Sequence, residues 1–149
     1  MTRTDTTPLT ILLADDDPED RELARDALAE SLVASDLRTV DDGEQLLDYL
    51  HRLGNYADPS ASPRPGLILL DVSMPRLDGH DALAAIKADA SLRQIPVVML
   101  STSLADEDID RSYQLGANSY VAKPASFTAL VDTMRTLGRY WGEMVELPS

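Results

Sequence analysis

The chain has no cysteine, which excludes disulfides and thiolate metal sites. Its two histidines, His51 and His80, are too few for a His-rich metal site. No apolar run approaches the ~18 residues of a membrane span. The N-terminal stretch "MTRTDTTPLTILLADDD" meets acids too early to form a signal peptide's apolar core. Positive charge is scarce as well: 13 Lys and Arg stand against 26 Asp and Glu, a net charge of −13 with a pI near 4.3. That argues against nucleic acid as a direct partner, because phosphate backbones are held by Lys and Arg. It also disfavours an anionic membrane surface. A soluble cytoplasmic protein is the expectation. Lysine is the scarcest base, with only Lys87 and Lys123 beside eleven arginines, and Lys123 stands directly before Pro124. Lysine is a compact, flexible point charge where arginine is a planar fork. Codon bias and chance account for that placement equally well when it is taken alone.

What remains is 149 residues with a hydrophobic fraction of 44%, enough for a single domain with a real core. There is no internal repeat. Leu9–Ala14 reads as a buried strand, and Leu37–Val40, Leu67–Leu70, Ile95–Leu100 and Asn118–Ala122 read as four more. Helical patterns follow each of them. Asp17 and Pro18 supply an N-cap and an N1 proline for the first, which runs to about Ala34 with Leu23, Ala27, Leu28 and Leu32 on one side. The second covers Gly43–Leu53 with Leu46, Leu47 and Leu50 inward, and the third covers about His80–Asp89. Ser103 is placed to cap a fourth helix reaching about Leu115, with Asp106 as its box partner, and Ser126 caps a fifth. Strands alternating with helices specify an α/β, doubly wound, five-stranded parallel sheet with right-handed crossovers. Residues 54–66, "GNYADPSASPRPG", hold three prolines and form a surface loop longer than the usual αβ connection. Long loops are often functional, though a plain insertion explains this one as well.

Four strands run out at polar groups. "ILLADDDP" ends at Asp15 and Asp16, "LILLDVSMP" at Asp71, "VVMLSTS" at Ser101 and "YVAKP" at Lys123. The carboxyl ends of parallel strands share one edge, where ligands bind, so these groups converge. Two carboxylates ~4 Å apart repel by roughly 4 kcal/mol at an effective dielectric of 20, and crowded acids share protons or take a cation. With oxygen donors only, Mg2+ is the natural candidate. Taken alone, "DDDP" is also the acid cluster that a helix N-terminus favours. Asp71 ends the most apolar strand and is the best nucleophile, since a carboxylate attacks phosphorus to give an acyl phosphate. Ser101 and Lys123 suit phosphoryl oxygens by hydroxyl donation and by charge. Proline biases Lys123 to an extended backbone. A cis Lys123–Pro124 bond would aim the lysine, while an ordinary turn is the alternative.

Together these residues resemble the receiver domain of bacterial two-component response regulators. The match covers Leu9 to about Leu137 and includes Asp15 and Asp16, "LLDVSMPRLDG", Ser101, Tyr120 and Lys123–Pro124. The resemblance implies a flavodoxin-like sheet in the order 2-1-3-4-5, with Asp71 as phosphoacceptor and a histidine kinase as partner. It implies that Asp16, Asp71 and the Ser73 carbonyl ligate Mg2+ directly, with Asp15 acting through water. It makes Ser101 and Tyr120 a coupled switch, has Lys123 contact the phosphoryl group, and places Ser73 and Ser103 at positions that tune phosphoryl lifetime. The Pro-rich loop, "IPVVMLSTS" and the tail "YWGEMVELPS" look like the stand-alone response regulators of phytochrome-type kinases.

The ends divide as a tail over 1–8, a receiver domain over 9–137 and an extension over 138–149. So short an extension holds no effector domain, and output through protein contacts is expected. Phe127, Leu130, Val131, Met134, Leu137, Trp141 and Met144 recur at helical spacing past the fifth helix, although Gly138 and Gly142 weaken a continuous helix there. Leu137, Trp141 and Met144 are candidates for a homodimer contact, or Trp141 folds over its own core. Two other functions compete. A phosphohydrolase of the haloacid dehalogenase type needs a second aspartate where Ser73 stands. A receiver-like scaffold would never use phosphate, yet no site residue is missing. The chain could equally serve as a phosphate sink for its kinase. No enzyme activity on an outside substrate is expected.

Overall fold

The five expected strands become β1 (Leu9–Ala14), β2 (Ser35–Val40), β3 (Leu67–Leu70), β4 (Val97–Ser101) and β5 (Ser119–Ala122). All pair in parallel, in the order β2-β1-β3-β4-β5. Between and after them lie α1 (Pro18–Ser31), α2 (Gly43–His51), α3 (Gly79–Ala88), α4 (Asp106–Gln114) and α5 (Phe127–Arg139). The computed structural model describes residues 8–145 and 147. The expected N-terminal tail up to Thr7, and Glu146, Pro148 and Ser149 of the expected extension, lie outside them.

The period-2 alternation of each strand divides the core in two. Leu12, Ala14, Ile68, Leu70, Val97 and Met99 face α2 and α3. Ile11, Leu13, Leu67, Leu69, Val98 and Leu100 face α1 and α5. β3 is central and wholly buried. Each of its four large side chains contributes roughly 2 kcal/mol by leaving water, which makes its end the firmest point at the edge of the sheet.

Caps fix where the helices begin. Asp17 accepts from Glu19 N ahead of Pro18, and Ser126 accepts from Ala129 N. Gly79 starts α3 where no side chain fits: a Cβ there would lie 2.0 Å from the backbone oxygen of Asp71. α3 therefore rises directly against the end of β3.

Several expectations are corrected. Leu23 and Leu32 are exposed, because α1 ends at Ser31 and buries a narrower face of Ala24, Ala27 and Leu28. Ser103 does not cap α4. The helix starts three residues later, at Asp106 after an N-cap at Ala105, and the Ser103 hydroxyl donates to Asp108 instead. The helix does not break at Gly138 and Gly142. α5 passes into a π-helical turn, Tyr140–Met144, and the glycines lie where a Cβ would press on Val33 and touch Leu9. Leu137 is buried, and Trp141 and Leu147 pack on the α1/α5 half of the core. α5 itself runs on to Arg139. The 54–66 loop is tied down: Tyr49 Oη donates to Pro63 O at 2.7 Å, and the buried Ser62 hydroxyl donates to Tyr56 O.

Candidate functional site at the carboxyl edge of the sheet

Asp15 and Asp16 follow β1, and Asp71 follows β3. Their carboxylate oxygens lie within 4.8 Å of one another. Asp15 and Asp71 are buried, and Asp16 is exposed. Asp15 is fixed at three atoms. Its Oδ1 accepts from Asp17 N at 3.0 Å, its Oδ2 accepts from Lys123 Nζ at 2.7 Å, and its carbonyl accepts from Arg21 Nη1 at 2.7 Å.

Lys123 follows β5 and reaches across the strand ends. Its backbone N–H donates to Ser101 O at 2.9 Å. Its Nζ donates to Asp15, to Asp20 at 3.0 Å and to Asp71 Oδ2 at 3.2 Å. Burial opposes the charge on this ammonium, but the hydrogen bonds it donates to Asp15 and Asp20 and the charges of Asp71 and Asp15 outweigh it, so its pKa rises. Burial pushes the Asp71 carboxyl above the ordinary carboxylate range. Lys123 counteracts that rise, Asp15 adds to it, and the Ser73 N–H lowers it. Asp71 is thus a carboxyl whose burial favours its neutral form and whose charged form Lys123 favours, a perturbed group of the kind that functional sites hold.

The peptide bond before Pro124 is trans, as is every peptide among the described residues. This corrects the cis expectation. The trans form of an X–Pro bond is favoured by ~0.5–1 kcal/mol, and three carboxylates already orient the lysine.

Ser101 ends β4 and is buried. Its Oγ accepts from Ser103 N at 3.1 Å. Ser103 O accepts from Tyr120 Oη at 2.7 Å, while the Tyr120 ring packs on the α2/α3 half of the core. Ser103 Oγ donates to Asp108 on α4. α4 is tied in turn to α3: the Nε2 of buried His80 lies 3.0 Å from Ser112 Oγ and 3.2 Å from Asp108 O. One continuous set of contacts therefore joins Ser101, Ser103, Tyr120 and α4. Ser73 sits exposed in the β3–α3 loop, on an open groove of about 690 Å³ that Asp16, His80, Asp108 and Arg111 also line.

The structure thus gathers the carboxylates of Asp15, Asp16 and Asp71, sets Lys123 on Asp15 and Asp71, and links Ser103 and Tyr120 to the site through Ser101. Trp141, Leu137 and Met144 lie elsewhere: the first two pack inward, and Met144 is 74% exposed. Three participants were not singled out in the sequence. Asp20 and Glu19 read as ordinary first-turn acids of a helix, yet only Asp20, at the third helical position, points back over the strand ends. Arg21 and His80 carry no motif, and only the fold reveals their partners.

Oxygen donors from three crowded carboxylates fit a divalent cation and exclude the thiolate and imidazole sets that softer metals prefer. An acidic triad, a hydroxyl and a lysine at the carboxyl edge of a 2-1-3-4-5 sheet define a phosphoryl-accepting receiver. The family model "Response regulator receiver domain" matches residues 11–135, and the chain belongs to that family. Among its relatives is the response regulator Rcp1 of Synechocystis, 37% identical over 95% of each chain. A crystal structure of Mn2+-bound Rcp1 overlays with a TM-score of 0.84, covering 95% of this chain and all of that one at 37% identity. The phosphorylated cyanobacterial phytochrome response regulator RcpA is 40% identical, with a TM-score of 0.88 over 96% of this chain and all of RcpA. RPA3017, a response regulator in red light signalling of R. palustris, is 36% identical, with a TM-score of 0.89 over 95% of this chain and 99% of its own. The protein is a response regulator similar to those of phytochromes.

Proposed function

We propose that this response regulator takes a phosphoryl group onto Asp71 from a phytochrome-type sensor histidine kinase. The observation that carries this reading is the pairing of buried Asp71 with Lys123 Nζ inside a carboxylate cluster. An Asp71 oxygen attacks the phosphorus of a phosphohistidine. The O–P bond forms as the N–P bond breaks, and the departing imidazole keeps the bonding electron pair and takes up a proton. Asp15, Asp16, Asp71 and the Ser73 carbonyl are the groups that would hold Mg2+. When bound, that ion supplies neutralisation of charge on the transferring oxygens. Lys123 donates to the phosphoryl group through its ammonium.

Ser101 carries the signal outward. Its Oγ now accepts from Ser103 N, and turning toward the phosphoryl group gives up that bond. The same Ser103 holds the Tyr120 hydroxyl and Asp108. The β4–α4 loop, Tyr120 and α4 thereby form one bistable element. Ser73 and Ser103 flank the reacting group and set how long the phosphoryl group survives. The output is a change in protein contacts, among them a homodimer and a downstream protein recognised by the α4 face. The expected compartment is the cytoplasm, where the transmitter of a sensor kinase resides.

The phytochrome link rests on the likeness to RcpA and RPA3017. Phosphotransfer from an autophosphorylated phytochrome kinase tests it, with a chemoreceptor kinase as competitor. Faster transfer from the phytochrome kinase by tenfold or more, on the order of 1.4 kcal/mol, supports the pairing. Equal rates withdraw it.

A further inference from the structure

The Lys123 ammonium has three protons and three carboxylates to receive them: Asp15 at 2.7 Å, Asp20 at 3.0 Å and Asp71 at 3.2 Å. Two of those acids belong to the carboxylate cluster that fits a cation, and Asp20 does not. A divalent cation on Asp15, Asp16 and Asp71 competes with the lysine for the same oxygens and repels its charge. Asp20 is then the one acid touching Lys123 that the cation leaves free. It stands on a rigid base, the first turn of α1, which the Asp17 side chain and Pro18 fix. Its side chain is 36% exposed, so core packing does not account for its position.

Resting on the function proposed above and deepening it, we propose that Asp20 is a positioning residue for phosphoryl transfer. It is the counter-ion that keeps the Lys123 ammonium at the site while the cation is bound, and it presents that ammonium to the incoming phosphoryl group. On transfer, Lys123 exchanges its contact with Asp71 for a phosphoryl oxygen and keeps its contact with Asp20. No covalent bond changes at Asp20. Glu19, one residue earlier, is exposed and pairs with no cation among the described residues, so it reports the effect of charge without the contact.

With only Lys87 and Lys123 in the chain, the two ε-ammonium resonances are separable in a 1H–15N spectrum, and Lys87→Arg assigns them. The parent retains a protected Lys123 signal with and without Mg2+. Asp20→Asn retains it only without Mg2+, because the cation then leaves the lysine no partner. At saturating Mg2+, Asp20→Asn also takes phosphoryl from acetyl phosphate about three- to tenfold more slowly. Asp20→Glu recovers part of that loss, and Glu19→Gln matches the parent in both measurements. An Asp20→Asn protein that keeps the Lys123 signal in Mg2+ and labels at the parent rate overturns the assignment, as does a Glu19→Gln protein with the same defect. If the parent itself takes up no phosphoryl group, the proposed function fails. The spectra in Mg2+ still decide whether Asp20 holds Lys123.

Discussion

Asp71 is a buried carboxylate whose proton is held more tightly in the folded chain than in the unfolded one. Without a divalent cation, the stability this group contributes is complete below its ordinary pKa, near 3.8. It is lost as pH rises through the raised folded value. Asp71→Asn therefore leaves the Tm unchanged or higher at neutral pH and flattens the stability–pH curve above the ordinary carboxylate pKa, as urea unfolding of both proteins would show. Phosphoryl uptake has the opposite dependence: it needs the carboxylate and falls as acid protonates Asp71, at a lower pH in Mg2+ than in metal-free buffer because a bound cation favours the charged form. Lys123 is the other pole. Lys123→Ala leaves buried Asp15 and Asp71 without their cation and costs about 2–4 kcal/mol in metal-free buffer, with Mg2+ restoring much of it. Phosphorylation of that variant remains detectable by intact mass, but the Tyr120 environment no longer responds to it by NMR. An unaltered Tyr120 response in Lys123→Ala removes the lysine from the switch. Asp15, Asp16, Asp71, Ser101 and Lys123 were legible in the sequence because each ends an apolar strand. Asp20 was not, since an acid in a first helical turn has a sufficient local explanation and its partner lies 103 positions away.

At the scale of elements, the alternation of buried residues follows from the strand patterns, whereas the order 2-1-3-4-5 was legible only through the resemblance to receivers. Element ends were less legible where tertiary contacts set them. Ser103 has the composition of a cap, yet it is taken up by Ser101, Tyr120 and Asp108, and α4 begins without a side-chain cap. Leu23 and Leu32 follow a helical period, but α1 rests on α5 and β1 through small residues, which leaves those leucines in solvent. The contact of α3 with the end of β3 is the tightest of these junctions. Gly79→Ala places a methyl group against the Asp71 carbonyl, forces the phosphoacceptor segment to shift, and costs about 1–3 kcal/mol of stability. It also slows phosphoryl uptake at saturating Mg2+. A Gly79→Ala protein with the parent's Tm and uptake rate would show that the β3–α3 junction yields freely.

For the whole molecule, no described helix is long and apolar enough to cross a membrane, and the chain carries a net charge of −13. The apolar stripe along α5 splits in the fold. Leu137 and Trp141 serve the chain's own core, whereas Phe127 and Met144 stay exposed. The proposed homodimer contact at this end of the chain would use Met144, the most exposed member of the stripe. Met144→Glu shifts a dimeric parent toward monomer in sedimentation without lowering its Tm, and an unchanged dimer excludes this patch. The central claim is chemical, and intact mass tests it most directly. The parent and Asp71→Asn are each incubated with acetyl phosphate, with and without Mg2+. The account predicts one phosphoryl adduct that requires both Mg2+ and Asp71. An adduct of equal yield on Asp71→Asn, or none on the parent under either condition, would contradict it.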